Sequence, residues 1–132
     1  MTDKVLFTGK TRNTSGANGA ARSSDGFLDI ALPEPHPAAE QLFGAAWSAC
    51  YMGALGLAAL QRKVRLPADP SVDATIELVN RGGVDFYLRA RLDVSLPGLD
   101  RDVALELIDA AHAICPYSKA VHGNIAVETN LA

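Results

Sequence analysis

The sequence predicts an α+β domain in which antiparallel sheet wraps around one long central helix. Three observations predict it. A charge-free apolar run covers residues 42–60; strict apolar–polar alternation covers 72–78 and 84–96; and the element order is strands, helix, strands, helices, strand. At 132 residues the chain fits a single domain spanning 1–132. A chain of that length buries about two-thirds of its unfolded surface, so it requires no covalent staple.

Residues 4–11, with Val5, Leu6 and Phe7, read as a first strand, and 14–19 as a turn by composition. Asp25-Gly26 between residues 22–24 and 27–32 reads as a hairpin with a type I′ turn, which needs positive φ at both central positions. Pro33, Pro35 and Pro37 bar helix and central strand, so 33–38 is a connector. The long helix follows from Glu40 and ends near Lys63.

That helix is apolar all round, so it is expected to be buried on every side, with Cys50 deep inside. Residues 42–60 are nineteen in number, long enough to span a bilayer. Ten of them are Gly, Ala or Ser, which weakens transfer into lipid and suits close approach of another helix or a sheet. A core helix, with no membrane partner, is the expectation.

Val72, Ala74, Ile76 and Leu78 alternate with polar residues. After the turn at Asn80-Arg81-Gly82-Gly83 the alternation resumes from Val84 to Leu96, which predicts a two-stranded antiparallel ribbon with one face buried. Asp100 is placed to cap a helix carrying Val103, Leu107, Ala110, Ala111 and Ile114 on one face. Pro116 ends it and opens a short helix stopped by Gly123. Alternation of Ile125, Val127, Thr129 and Leu131 predicts a closing strand.

Twelve basic and fifteen acidic residues are dispersed, for a net charge of −3. No basic run points to nucleic acid. Residues 1–4 carry no apolar stretch of signal-peptide length, so a cytoplasmic location is expected.

Two cysteines in a reducing compartment suggest a redox or catalytic pair, or else two buried thiols acting as small hydrophobes. Cys115 falls at the N-cap of the short helix, where backbone dipoles lower a thiol pKa; on that ground alone it is the more acidic of the two. His36, His112 and His122 lack metal-ligand spacing with the thiols, and His112 and His122 read as surface or capping residues. Glu40 suits the first turn of the long helix. It lies ten residues before Cys50, about 15 Å along the axis. To serve that thiol it would act across a two-fold interface between antiparallel helices.

The run Glu40-Gln41-Leu42-Phe43, followed by Ser48-Ala49-Cys50, resembles the signature of the organic hydroperoxide resistance proteins of the OsmC superfamily. Ala111-His112, Cys115-Pro116-Tyr117-Ser118 and Gly123-Asn124 resemble their second cysteine motif. The resemblance implies an intertwined α+β homodimer and a thiol-dependent peroxidase acting on fatty-acid and other organic hydroperoxides. It makes Cys50 the attacking thiolate, against the N-cap argument, and Cys115 the thiol that closes a disulfide with it. Glu40 joins them at the site, and Leu42, Phe43, Trp47 and Tyr51 form an apolar substrate surround. No cofactor is bound; a dihydrolipoyl group, as dihydrolipoamide or on a lipoylated protein, is the reductant. The family places a thiolate-activating arginine in the Gly-rich turn before Ser23-Ser24-Asp25, where this chain has Ala17; Arg12 and Arg22 are the nearest cations. The connector Pro35-His36-Pro37-Ala38-Ala39 also departs from the family's Gly-rich loop. Loss of that arginine leaves open an apolar-ligand-binding protein or a thiol redox sensor on the same fold.

Overall fold

The computed structural model describes residues 2–132, which form two compact units that divide at Ala39 and Glu40. The first unit holds a three-stranded antiparallel sheet of β1 (Thr11–Asn13), β2 (Ala20–Ser23) and β3 (Asp29–Ala31), in that order. Residues 4–10 are not a strand. Val5, Leu6 and Phe7 are more than four-fifths exposed, and no strand among the described residues pairs with them. The β2–β3 connection is also longer than a two-residue type I′ turn. Ser23 N–H bonds to Leu28 O, the Asp25 carboxylate accepts from Phe27 N–H, and only Gly26 takes positive φ. The Asp25 side chain thus closes a wider loop by the usual Asx route.

The second unit contains α1 (Ala39–Gln61), the ribbon β4 (Ser71–Gly82) and β5 (Asp85–Ser95), α2 (Arg101–Ile114), α3 (Pro116–Val121) and β6 (Ala126–Leu131). Gly82 and Gly83 both take positive φ and turn the ribbon. Its register pairs Val72 with Val94, Ala74 with Leu92 and Ile76 with Ala90, which stacks the apolar alternation of both strands on one face. α1 crosses that face at Gly44. A Cβ there would lie 3.3 Å from Ile76 Cγ1 and 3.4 Å from Ala74 Cβ, so the bare backbone is what lets helix and strand touch. Trp47, Tyr51, Leu55, Leu92, Leu107 and Val94 are the large side chains fully enclosed in the core.

Three expectations change in this unit. β6 joins β5 in parallel, so the sheet is mixed rather than antiparallel. The helical crossover through α2 and α3 returns the chain to the starting end, which allows that direction. The ribbon's apolar face is covered only at its base; Leu78, Val84 and Phe86, near the turn, are half or more exposed. α1 is not buried on every side either. Gly44, Trp47, Ser48, Tyr51, Ala54, Leu55, Ala58 and Ala59 face inward at helical spacing, while Met52, Leu57 and Leu60 form part of an exposed apolar stripe. α1 is long and apolar enough to cross a membrane by composition, yet its inward face is packed against sheet and helix residues of the same chain.

The α2 boundary is set by chemistry visible in the sequence. Asp100 accepts from the backbone N–H of Asp102 and of Val103, satisfying two donors that the first turn leaves orphaned. Asp100→Ala is expected to cost about 1 kcal/mol and to lower Tm by about 3–6 °C in a thermal melt, with no change in the folded structure.

Candidate functional site

Both thiols belong to the second unit. Cys50 stands on α1, half-buried, packed against the edge of the core; Cys115 lies within the core with no exposed surface. Both are free. Cys115 is the N-cap of α3, as its position before Pro116 predicts, and its Sγ accepts from Ser118 N–H at 3.5 Å. Cys50 lies less deep than the all-apolar helix suggests, because α1 buries only one face.

A polar cluster forms behind Cys115. Trp47 Nε1–H donates to Ser118 Oγ at 3.0 Å. His112 Nδ1 lies 2.8 Å from the same oxygen, and His112 Nε2 lies 2.9 Å from Thr129 Oγ1. The indole can only donate, so Ser118 Oγ accepts from it. A neutral His112 ring then gives a hydrogen to one of its two hydroxyl partners, Ser118 or Thr129, and accepts one from the other. Tyr51 lies beside it, ring centroids 4.7 Å apart, and donates its O–H to Ile108 O at 2.8 Å. Burial pushes the Tyr51 phenol well above its ordinary pKa, and Asp109 and Cys115 add to the rise. The phenol therefore stays neutral and remains a donor.

Burial also lowers the His112 pKa, opposed by the Asp109 carboxylate. The neutral ring is the form the cluster accepts. As pH falls through the ordinary histidine value of 6.5, the unfolded chain takes up a proton that the folded chain refuses. Stability is therefore expected to decline as pH drops below that value and to level off below the folded-state pKa. Urea midpoints measured across this range should show a slope no steeper than one proton, and His112→Asn should flatten it.

His112, expected as a surface or capping residue, is half-buried, and Ser118, which the sequence marks only as part of the second cysteine motif, joins it in the cluster. The signal available was the i, i+3 and i, i+6 spacing of His112 to Cys115 and Ser118 across Pro116. The cluster walls a groove of about 600 Å³, with Val121, Ile125 and Val127 as apolar lining and Lys119 and His122 also along it. Of the four residues expected around a substrate, Trp47 reaches this groove. Leu42 and Phe43 are half-buried, with Phe43 edge-on to Trp47 at 5.8 Å, and Tyr51 is enclosed.

Glu40 sits in the first turn of α1, half-buried. With Gly44, Ser48 and Asp73 it lines a cleft of about 320 Å³. Ser48 Oγ is buried there without a hydrogen-bond partner among the described residues. In the first unit, Arg12 and Arg22 face each other in the β1–β2 register and line a shallow depression with Lys10 and Ser24. Arg22 is paired with Asp29 at 3.0 Å, both side chains largely exposed. No group of three or more His, Cys, Asp or Glu side chains suited to a metal ion occurs among the described residues.

A long helix bearing a half-exposed thiol, a second thiol capping a short helix, and a mixed sheet under both define a two-cysteine α+β domain. Residues 32–130 match the model of the OsmC-like protein family, and the chain belongs to that family. Within it, the chain falls among the organic hydroperoxide resistance proteins. It is 37% identical to the organic hydroperoxide resistance protein of Xanthomonas axonopodis pv. citri, over 98% of this chain and 97% of that one. The crystal structure of the organic hydroperoxide resistance protein OhrB of Bacillus subtilis superposes with a TM-score of 0.86 at 35% identity, covering 97% of this chain and 100% of the other. An organic hydroperoxide resistance protein from Elizabethkingia anophelis, crystallised with thiocyanate bound, superposes with a TM-score of 0.89 at 31% identity, over 98% and 99% of the two chains.

Proposed function

We propose that the protein is a thiol-dependent peroxidase that reduces organic hydroperoxides, with Cys50 and Cys115 as its redox pair. The observation that carries the reading is the asymmetry of the two free thiols: one half-buried at the edge of the core, the other enclosed and capping a helix. The relatives' names supply the substrate class. The Cys50 thiolate attacks a peroxide oxygen, the O–O bond breaks, and the departing alkoxide takes a proton to become an alcohol. Cys50 is left as a sulfenic acid. The Cys115 thiolate attacks that sulfur, the S–O bond breaks, and hydroxide leaves as water after protonation, giving a disulfide. A dihydrolipoyl group then donates two electrons and two protons and is itself oxidised to the cyclic disulfide. The half-buried Leu42 and Phe43, about two turns before Cys50 on α1, suit an alkyl chain.

Arg12 or Arg22 takes the place of the family's activating arginine, and Glu40 joins the thiol site across a homodimer. The exposed stripe of α1, the uncovered tip of the ribbon and the unpaired segment holding Val5–Phe7 support a second copy as the missing cover. The cytoplasm, where lipoyl reductants and reduced thiols are at hand, is the proposed location.

Steady-state consumption of an alkyl hydroperoxide with dihydrolipoamide tests the reading. Turnover that stops when Cys50 is replaced supports it. Ala17 at the arginine position and the apolar-lined groove favour one second reading, an apolar-ligand carrier. Absence of turnover with a disulfide that still forms leaves the redox sensor; absence of any disulfide leaves the carrier.

A further inference from the structure

Three elements of the second unit meet at one hydroxyl, and a fourth is tied to it through a histidine. Ser118 Oγ on α3 receives the indole N–H of Trp47 on α1, and His112 on α2 ties the same oxygen to Thr129 on β6. Trp47 and Ser118 are 71 residues apart in sequence. Ser118 is only 6% exposed, so water competes weakly for these bonds. Its own backbone N–H points at Cys115 Sγ. On α1, Cys50 follows Trp47 by three residues, about one turn. A single side chain therefore links the helix that carries one thiol to the helix that the other thiol caps.

We propose that Ser118 is the positioning residue of the thiol pair: by clamping α3 to α1 through Trp47 and to β6 through His112, it holds Cys115 where it meets Cys50. The proposal rests on the two-thiol reading above and specifies how the resolving thiol is held. Ser118 touches no reacting peroxide atom and acts through Cys115. Tyr51 on α1, Asp109 and His112 on α2, and Lys119 and His122 beside the groove are the ionisable groups around it.

A clamp of this kind raises the effective concentration of one thiol at the other, so it is read by an equilibrium that needs no peroxide. In a glutathione buffer, two glutathione thiols give two electrons and two protons to the Cys50–Cys115 disulfide and form glutathione disulfide. Ser118→Ala should shift this equilibrium toward the dithiol about tenfold, which corresponds to about 30 mV for a two-electron couple. Thr129→Val removes only the outer partner of His112 and should shift it about threefold. Leu107→Ala, a core change on α2 outside the cluster, should leave it within about twofold.

Both cluster variants at the parent's equilibrium constant would overturn the proposal, as would a shift in Leu107→Ala equal to that in Ser118→Ala, or a parent protein that forms no disulfide. If Ser118→Ala does not fold, the Thr129→Val arm decides. Absence of hydroperoxide consumption alongside the expected redox shifts would remove the peroxidase reading and leave the clamp standing.

Discussion

Cys50→Ser is expected to abolish hydroperoxide consumption, with a fall of about three orders of magnitude or more. That is about 4 kcal/mol on the barrier at 1.36 kcal/mol per tenfold. A serine hydroxyl, unlike a thiol, is not appreciably ionised near neutral pH, and it cannot form the sulfenic acid on which the second step depends. Cys115→Ser should behave differently. It leaves the first attack intact, so one equivalent of peroxide is reduced while the Cys50 sulfenic acid accumulates, trapped by a dimedone-type probe and weighed by mass spectrometry. Retained turnover in Cys50→Ser would move the chemistry elsewhere. Equal behaviour of the two variants would remove the division of labour between the thiols.

Trp47→Ala is expected to have the largest effect on stability. The side chain is fully enclosed, packs edge-on against Phe43, and holds Ser118 through its N–H. Truncation leaves a cavity and removes one of the two side-chain hydrogen bonds of the buried Ser118 hydroxyl, at a cost of about 3–5 kcal/mol. Against a total stability of about 5–15 kcal/mol this is a large fraction. Thermal melts should show Tm lower by about 10–20 °C. Trp47→Phe keeps most of the volume and loses only the donor, so it should cost about 1–3 kcal/mol. The difference between the two separates packing from hydrogen bonding at this position.

Much of the fold was legible because its signals are local. Three prolines mark the connector before α1, alternation from Val72 to Leu96 marks the ribbon, and Asp100 and Pro116 mark two helix starts. Each acts on the backbone within a few residues of itself. The direction of β6 was not legible. Its alternation is the same for parallel and antiparallel pairing, and only the crossover through α2 and α3 decides. The one-sided burial of α1 was hidden for a different reason. Ala, Gly, Leu and Met occupy both faces, so no polar stripe marks the side away from the core. In the candidate site, the motif residues Cys50 and Cys115 stood out, whereas the Trp47–Ser118–His112–Thr129 cluster did not. Its members are ordinary core or surface residues until the fold brings them together.

The unequal depth of the two sulfurs makes the native protein selective toward reagents. An alkylating agent that cannot enter the core should modify Cys50 and spare Cys115, giving a single adduct in the folded state and two once the chain is denatured. The same difference decides where excess oxidant does permanent harm. Any sulfinic or sulfonic acid should collect on the half-exposed side chain, while its enclosed counterpart stays chemically intact.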